Sequence, residues 1–205
     1  MTTSTTERTN GRSRSRKLKA ILAGGLVLGL GAAITLAVWN DSEFATGTFT
    51  AGHFNMEGSL NGTTYSQHAS SGAAAVLSFT ANPTNMSPGD VEYAPFAVRL
   101  DATTTYSALV TVTMATTTGT LTDLTYTIIE PTAFGCDGTT TGTTLVAAGT
   151  ALSTVPGSTT FNLSEGTPPT TAGAPMFLCF KVTAGSGLAP GQTGSATWQF
   201  AGASQ

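Results

Sequence analysis

Two histidines, His53 and His68, and two cysteines, Cys136 and Cys179, are the chain's whole stock of imidazole and thiol. A catalytic zinc needs three protein ligands drawn together, commonly two histidines one helical turn apart. His53 and His68 lack that spacing, no helical pattern surrounds them, and no third donor clusters with them. They read as polar surface residues. Serines and aspartates are plentiful, so a Ser-His-Asp arrangement is open on spacing alone. However, no Gly-x-Ser-x-Gly elbow stands between a strand pattern and a helix pattern. Asp90 in "PGD" and Asp137 in "CDG" sit among turn formers and read as turn residues. No calcium-loop spacing is present. The expectation is a chain with no catalytic residue, no cofactor and no metal.

The elements that would position any site are strands. Charged residues make up 9% of the chain, against about 25% in an average soluble domain. Thr supplies one residue in five. Disordered chains are charge-rich and poor in β-branched residues, whereas Thr, Val, Phe and Tyr favour pleated sheet. Strand patterns cover residues 44–56, with a slip near "TAG", then Ala73–Ala81, Val91–Asp101, Tyr106–Thr118, Leu121–Pro131, "STTFNLS", Met176–Gly185 and Thr193–Phe200. Pro95 marks the third of these as an edge or bulged strand. Turns are expected at Asn61-Gly62, Pro88-Gly89 and Pro190-Gly191. Eight or nine short strands without a convincing helix predict an all-β domain, an antiparallel β-sandwich of jelly-roll or immunoglobulin-like type.

An N-terminal hydrophobic signal helix is expected ahead of that domain. Residues 1–19 are polar and basic, an n-region expected to be disordered, and Ala20 to Val38 form an apolar h-region. Nineteen apolar residues suit both a long signal peptide and a short membrane span. The flanks, basic before and acidic after, orient the chain with its C-terminal part outside. Thr35 and Ala37 suit the small-residue positions of a signal peptidase site. The division is therefore a signal peptide over 1–38 and a secreted domain over 39–205. From Trp39 onward there are two basic and ten acidic residues, a net charge of −8. Such a surface repels nucleic acid and anionic lipid, and contact with membrane is expected only through an uncleaved leader. In an exported chain, Cys136 and Cys179 read as a disulfide. Closing so long a loop is worth about 4 kcal/mol of chain entropy.

The junction "LAGGLVLGLGAAITLAVWNDSEFATGTFTAGHFNM" resembles that of the alternate, SipW-type signal-mediated exported protein family, related to the camelysin and TasA biofilm-fibre proteins. The matching features are the Gly/Ala/Leu-rich h-region, Trp39-Asn40-Asp41, and Phe49, Gly52, Phe54 and Met56. "NMSPGDVEYAPFAVRL" is similar to the family's Pro-Gly-Asp turn leading into a strand. The resemblance implies cleavage by a SipW-type signal peptidase within Ala37-Val38-Trp39. It also implies self-assembly into fibres, in which a freed N-terminal strand is donated to the next subunit. Here the candidate donor strand carries Phe44, Thr46, Thr48, Phe49, Phe54 and Met56. The cysteine pair and the Thr-rich body depart from the family pattern. The metallopeptidase label of some camelysin-type proteins has no visible ligands here. The expected function is a secreted or cell-surface, non-catalytic structural protein, a fibre or biofilm-matrix subunit. A monomeric adhesion or ligand-binding module is the alternative, with a secreted hydrolase acting through His53 and His68 behind it.

Overall fold

The computed structural model describes residues 15–26, 41–80 and 83–205. The chain divides into two units, Met1–Phe49 and Thr50–Gln205. In the first unit, residues 15–26 form helix α1. It begins inside the basic stretch that was expected to be disordered. Arg, Lys and Leu are good helix formers and extend the ladder through Arg16, Lys17 and Lys19. Among the described residues, no helix is long and apolar enough to cross a membrane. Residues 41–49 carry no regular structure and are exposed. Ala37, Val38 and Trp39 lie outside the described residues.

The second unit holds β1 (Met56–Ser59), β2 (Val91–Leu100), β3 (Ala108–Gly119), β4 (Leu124–Glu130), β5 (Thr143–Ala151), β6 (Thr160–Leu163), β7 (Met176–Ala184) and β8 (Gly194–Ser204). A large sheet runs β1-β2-β7-β4-β5 and a small one β6-β3-β8. All the pairings between strands are antiparallel. Period-two alternation makes the two sheets share one core. Ala94, Phe96, Val98 and Leu100 of β2 and Leu178, Phe180 and Val182 of β7 meet Val110 and Val112 of β3 and Phe161 and Leu163 of β6. Ala196, Trp198 and Phe200 of β8 pack against the same cluster. This is the arrangement of a β-sandwich. Each fully buried Leu or Phe contributes about 1.5–3 kcal/mol.

The turn chemistry is as expected. The Asp90 amide donates to the Ser87 carbonyl and Gly89 takes φ 96°, which only glycine adopts at no steric cost, giving a type II turn. The Gln192 amide closes the matching turn through Pro190-Gly191 onto Ala189. Pro95 sits in β2 two residues beyond the Ala97–Ser59 pair that ends β1, so β7 alone flanks it there. Its missing N–H therefore costs no ladder bond.

In this unit one expected strand does not form and one unanticipated strand does. Ala73–Ala81 is not a strand: Ser71–Ala73 form a turn of 3-10 helix and residues 74–79 pair with nothing. The apolar pattern there reports packing, not pairing. Conversely, the sequence pattern missed β5. Its Gly149, at φ 80°, sits in a bulge between the Tyr126–Thr150 and Ile128–Val146 pairs, which breaks the alternation.

Cys136 and Cys179 form a disulfide. Cys179 points to the outer side of β7, opposite Leu178 and Phe180, and is nevertheless fully buried. The loop after β4 covers it. Phe134 meets Phe177 edge-on at 5.9 Å, and Lys181 Nζ donates to the Thr140 carbonyl at 2.8 Å. Replacing both cysteines with serine should lower stability by up to about 4 kcal/mol, read as a fall in the denaturant midpoint. The oxidised and reduced wild type should differ in the same direction.

Candidate functional site

The residues proposed as one donor strand fall into two groups. Phe44, Thr46, Thr48 and Phe49 belong to no strand, and the two phenylalanines are 92% and 94% exposed. Phe54 and Met56 belong to the folded body. Met56 opens β1 opposite Leu100, and the Phe54 ring lies against Gly202 of β8, where a Cβ would come within 3.1 Å of it. The strand expected from Phe44 onward thus begins only at Met56. The reason is the slip at Gly52: a Cβ there would strike Thr105 Oγ1 at 2.3 Å and the Tyr106 ring at 2.4 Å. The Gly52 backbone passes directly against the Thr105 hydroxyl and the Tyr106 ring, and alternation does not continue through the contact.

A clamp fixes the chain just after that crossing. The Thr105 amide donates to the His53 carbonyl, the Asn55 amide to Thr104 Oγ1, and Thr104 Oγ1 to the Asn55 carbonyl. Asn55 Nδ2 donates to Asp101 at 2.5 Å, and the Thr103 amide and hydroxyl donate to the same carboxylate. Burial pushes the Asp101 pKa up, but these bonds outweigh it and the pKa falls to about 2. Next along, Arg99 forms an ion pair with Glu57 at 2.7 Å and lies 3.7 Å from the centre of the Tyr65 ring. Burial raises the Tyr65 pKa, against the pull of the Arg99 charge. Only the register of β1 on β2, which sets Glu57 opposite Arg99, reveals this cluster. The sequence gives no signal for it.

Beside the clamp lies a groove of about 970 Å³. Met56 and Gly58 of β1, Phe96 and Val98 of β2, Phe180 and Val182 of β7, and Gly194–Phe200 of β8 line it, with most of residues 67–79. Trp198 of the small sheet packs tilted against Phe180 at 4.8 Å and Tyr126 at 5.4 Å of the large one, and so bridges the two. Burial raises the Tyr126 pKa, against a smaller opposing pull from the nearby Trp198 indole N–H, which is itself buried and makes no well-formed hydrogen bond. The Tyr126 hydroxyl donates instead to the Thr154 carbonyl at 2.7 Å.

His68 lines the groove, 3.4 Å from Ser66 Oγ, whereas His53 sits at the bridge to Thr104. Among the described residues, no group of three His, Cys, Asp or Glu side chains is arranged to hold a metal. Asp90 and Asp137 accept hydrogen bonds within their own turns, from the Ser87 amide and from Thr139 and Thr140. No family model and no curated protein matches the chain.

Two measurements test the clamp. The advantage of wild type over Asp101→Asn should be full above the usual carboxylate pKa of about 4. It should fade as pH falls towards about 2, because the depressed folded-state pKa favours the ionised form. Chemical denaturation at stepped pH reads this. Arg99→Ala should cost about 1–2 kcal/mol through lost ion pair and ring contact, with faster hydrogen exchange at β1.

Proposed function

We propose that the chain is a secreted or cell-surface, non-catalytic structural protein whose body accepts an extended strand from another copy. One observation carries this. The pairs β2·β7, β3·β6 and β4·β5 nest inside one another, the wiring of a jelly roll. The next pair outward would be β1·β8. Among the described residues it is missing: β1 pairs with β2, and β8 ends the small sheet beside β3. A jelly roll short of one strand, beside an apolar groove, calls for a strand from elsewhere.

Residues 44–51 have the character required. Ala45, Gly47, Phe49 and Ala51 form one row, small or apolar, and Phe44, Thr46, Thr48 and Thr50 form the other, mostly polar. Laid beside β8, the first row fills the groove and the second faces water. Because donor and acceptor are different surfaces, the contact is head-to-tail and propagates into a filament. Residues 1–38 act as a signal peptide, cleaved by a SipW-type peptidase within Ala37-Val38-Trp39. Cleavage frees the donor. The disulfide fits an oxidising compartment outside the cell.

The groove's volume supports a second reading, a monomeric ligand-binding module, since small-molecule sites span about 300–1,000 Å³. Sedimentation separates the two. Protein beginning at Trp39 should form concentration-dependent oligomers, and removal of residues 39–50 should abolish them. If both forms stay monomeric across the concentration range, strand donation is wrong.

A further inference from the structure

Residues 74–80, "AAVLSFT", look like a strand and pack like one. Ala75, Leu77 and Phe79 lie against the core, while Val76 is 81% exposed and Ser78 is exposed. Yet among the described residues no backbone hydrogen bond joins them to any strand. They line the same groove as β8, whose outer edge is itself unpaired. The segment therefore holds its place by side chains alone. Its residues are half-buried or exposed, so its backbone groups can meet water in place of main-chain partners.

We propose that residues 74–80 are a removable self-cap, a strap that occupies the acceptor groove of the free subunit and leaves when the donor segment of a second copy enters. The inference rests on the strand-donation reading and specifies how that reaction is held back. The strap and the donor both turn a small or apolar row inward, and their outward rows are mixed, Val76 with Ser78 and Thr80 in the strap and Phe44 with three threonines in the donor. The donor has one advantage: lying along β8, it completes a ladder that the strap does not make. Residues 44–52 also carry no charge, so entry beside the buried Glu92 adds no like-charge repulsion. The strap follows a 3-10 turn at Ser71–Ala73, in which the Ala73 amide bonds to the Ser70 carbonyl. That turn gives it a fixed end about which to swing. Covering an edge with a loop is also how proteins prevent unwanted sheet growth. Here the cover makes assembly conditional.

Only open subunits accept a donor, so the apparent affinity is the intrinsic one scaled by the open fraction. The test compares Leu77→Ser/Phe79→Ser with wild type, both beginning at Trp39, by sedimentation and fibre growth. A weakened strap should lower the concentration needed for assembly by about tenfold or more. The same variant lacking residues 39–50 should stay monomeric. Circular dichroism and a cooperative unfolding transition establish that the body is folded. If wild type and variant assemble alike, strand donation stands and the strap is wrong. If the variant alone assembles, the strap is upheld in its tightest form. If neither assembles, both ideas fall. Hydrogen exchange on wild-type oligomers gives an independent reading. Amides along β8 should gain protection while those of residues 74–80 gain none. New protection at 74–80 would mean that the strap stays and zips into the sheet, which overturns the proposal.

Discussion

A β-strand at the end of a sheet leaves a row of backbone donors and acceptors facing outward, and those groups must meet water, a cover or another strand. In this protein the constraint falls on β8. The small sheet has three strands, and its longest free edge belongs to the strand that also supplies Trp198 and Phe200 to the core. The edge cannot turn polar without losing that packing, and it cannot close because β1 is committed to β2. The rest of the arrangement follows. The groove opens beside β8, and residues 74–79 form part of its wall because Ala75, Leu77 and Phe79 pack against the core.

The commitment of β1 is itself overdetermined. Asn55, Asp101, Thr103 and Thr104 lock the chain as it enters, and Glu57, Arg99 and Tyr65 lock the next turn. Neither cluster is arranged for chemistry. Their carboxylates accept hydrogen bonds or face a guanidinium, which makes them ordering devices. They fix the point where the body begins, so that upstream residues and downstream strands answer to different demands. On the far side of the large sheet the disulfide secures the loop after β4, without crossing the groove.

Much of the strand layout was readable because alternation and turn chemistry agreed. Val110 and Val112 alternate with Thr111 and Thr113, and Pro88-Gly89 and Pro190-Gly191 form their turns in place. Ala73–Ala81 misled because alternation records which side chains are buried and says nothing of what the backbone pairs with. The missed β5 is the converse case, in which a bulge at Gly149 interrupts a pairing that the backbone keeps. The candidate site was half legible. Phe49 stands out as an apolar residue in an uncharged stretch, but the gap it would fill in the proposed assembly is a property of strand order, which no local pattern encodes. The Glu57–Arg99 pairing was hidden for the same reason.

The body's two cations are both turned inward to structural partners. Arg99 lies between Glu57 and the Tyr65 ring, and Lys181 reaches the Thr140 carbonyl beside Tyr93. Residues 50–205 hold eight carboxylates and no further lysine or arginine. The field around the body is therefore of a single sign, and it decays over about 8 Å at physiological ionic strength. Two such bodies brought flank to flank repel one another. In the assembly proposed above, a neutral strand entering a groove meets no comparable barrier. Under that proposal charge sorts the directions of growth, favouring a lone thread over a bundle or a sheet.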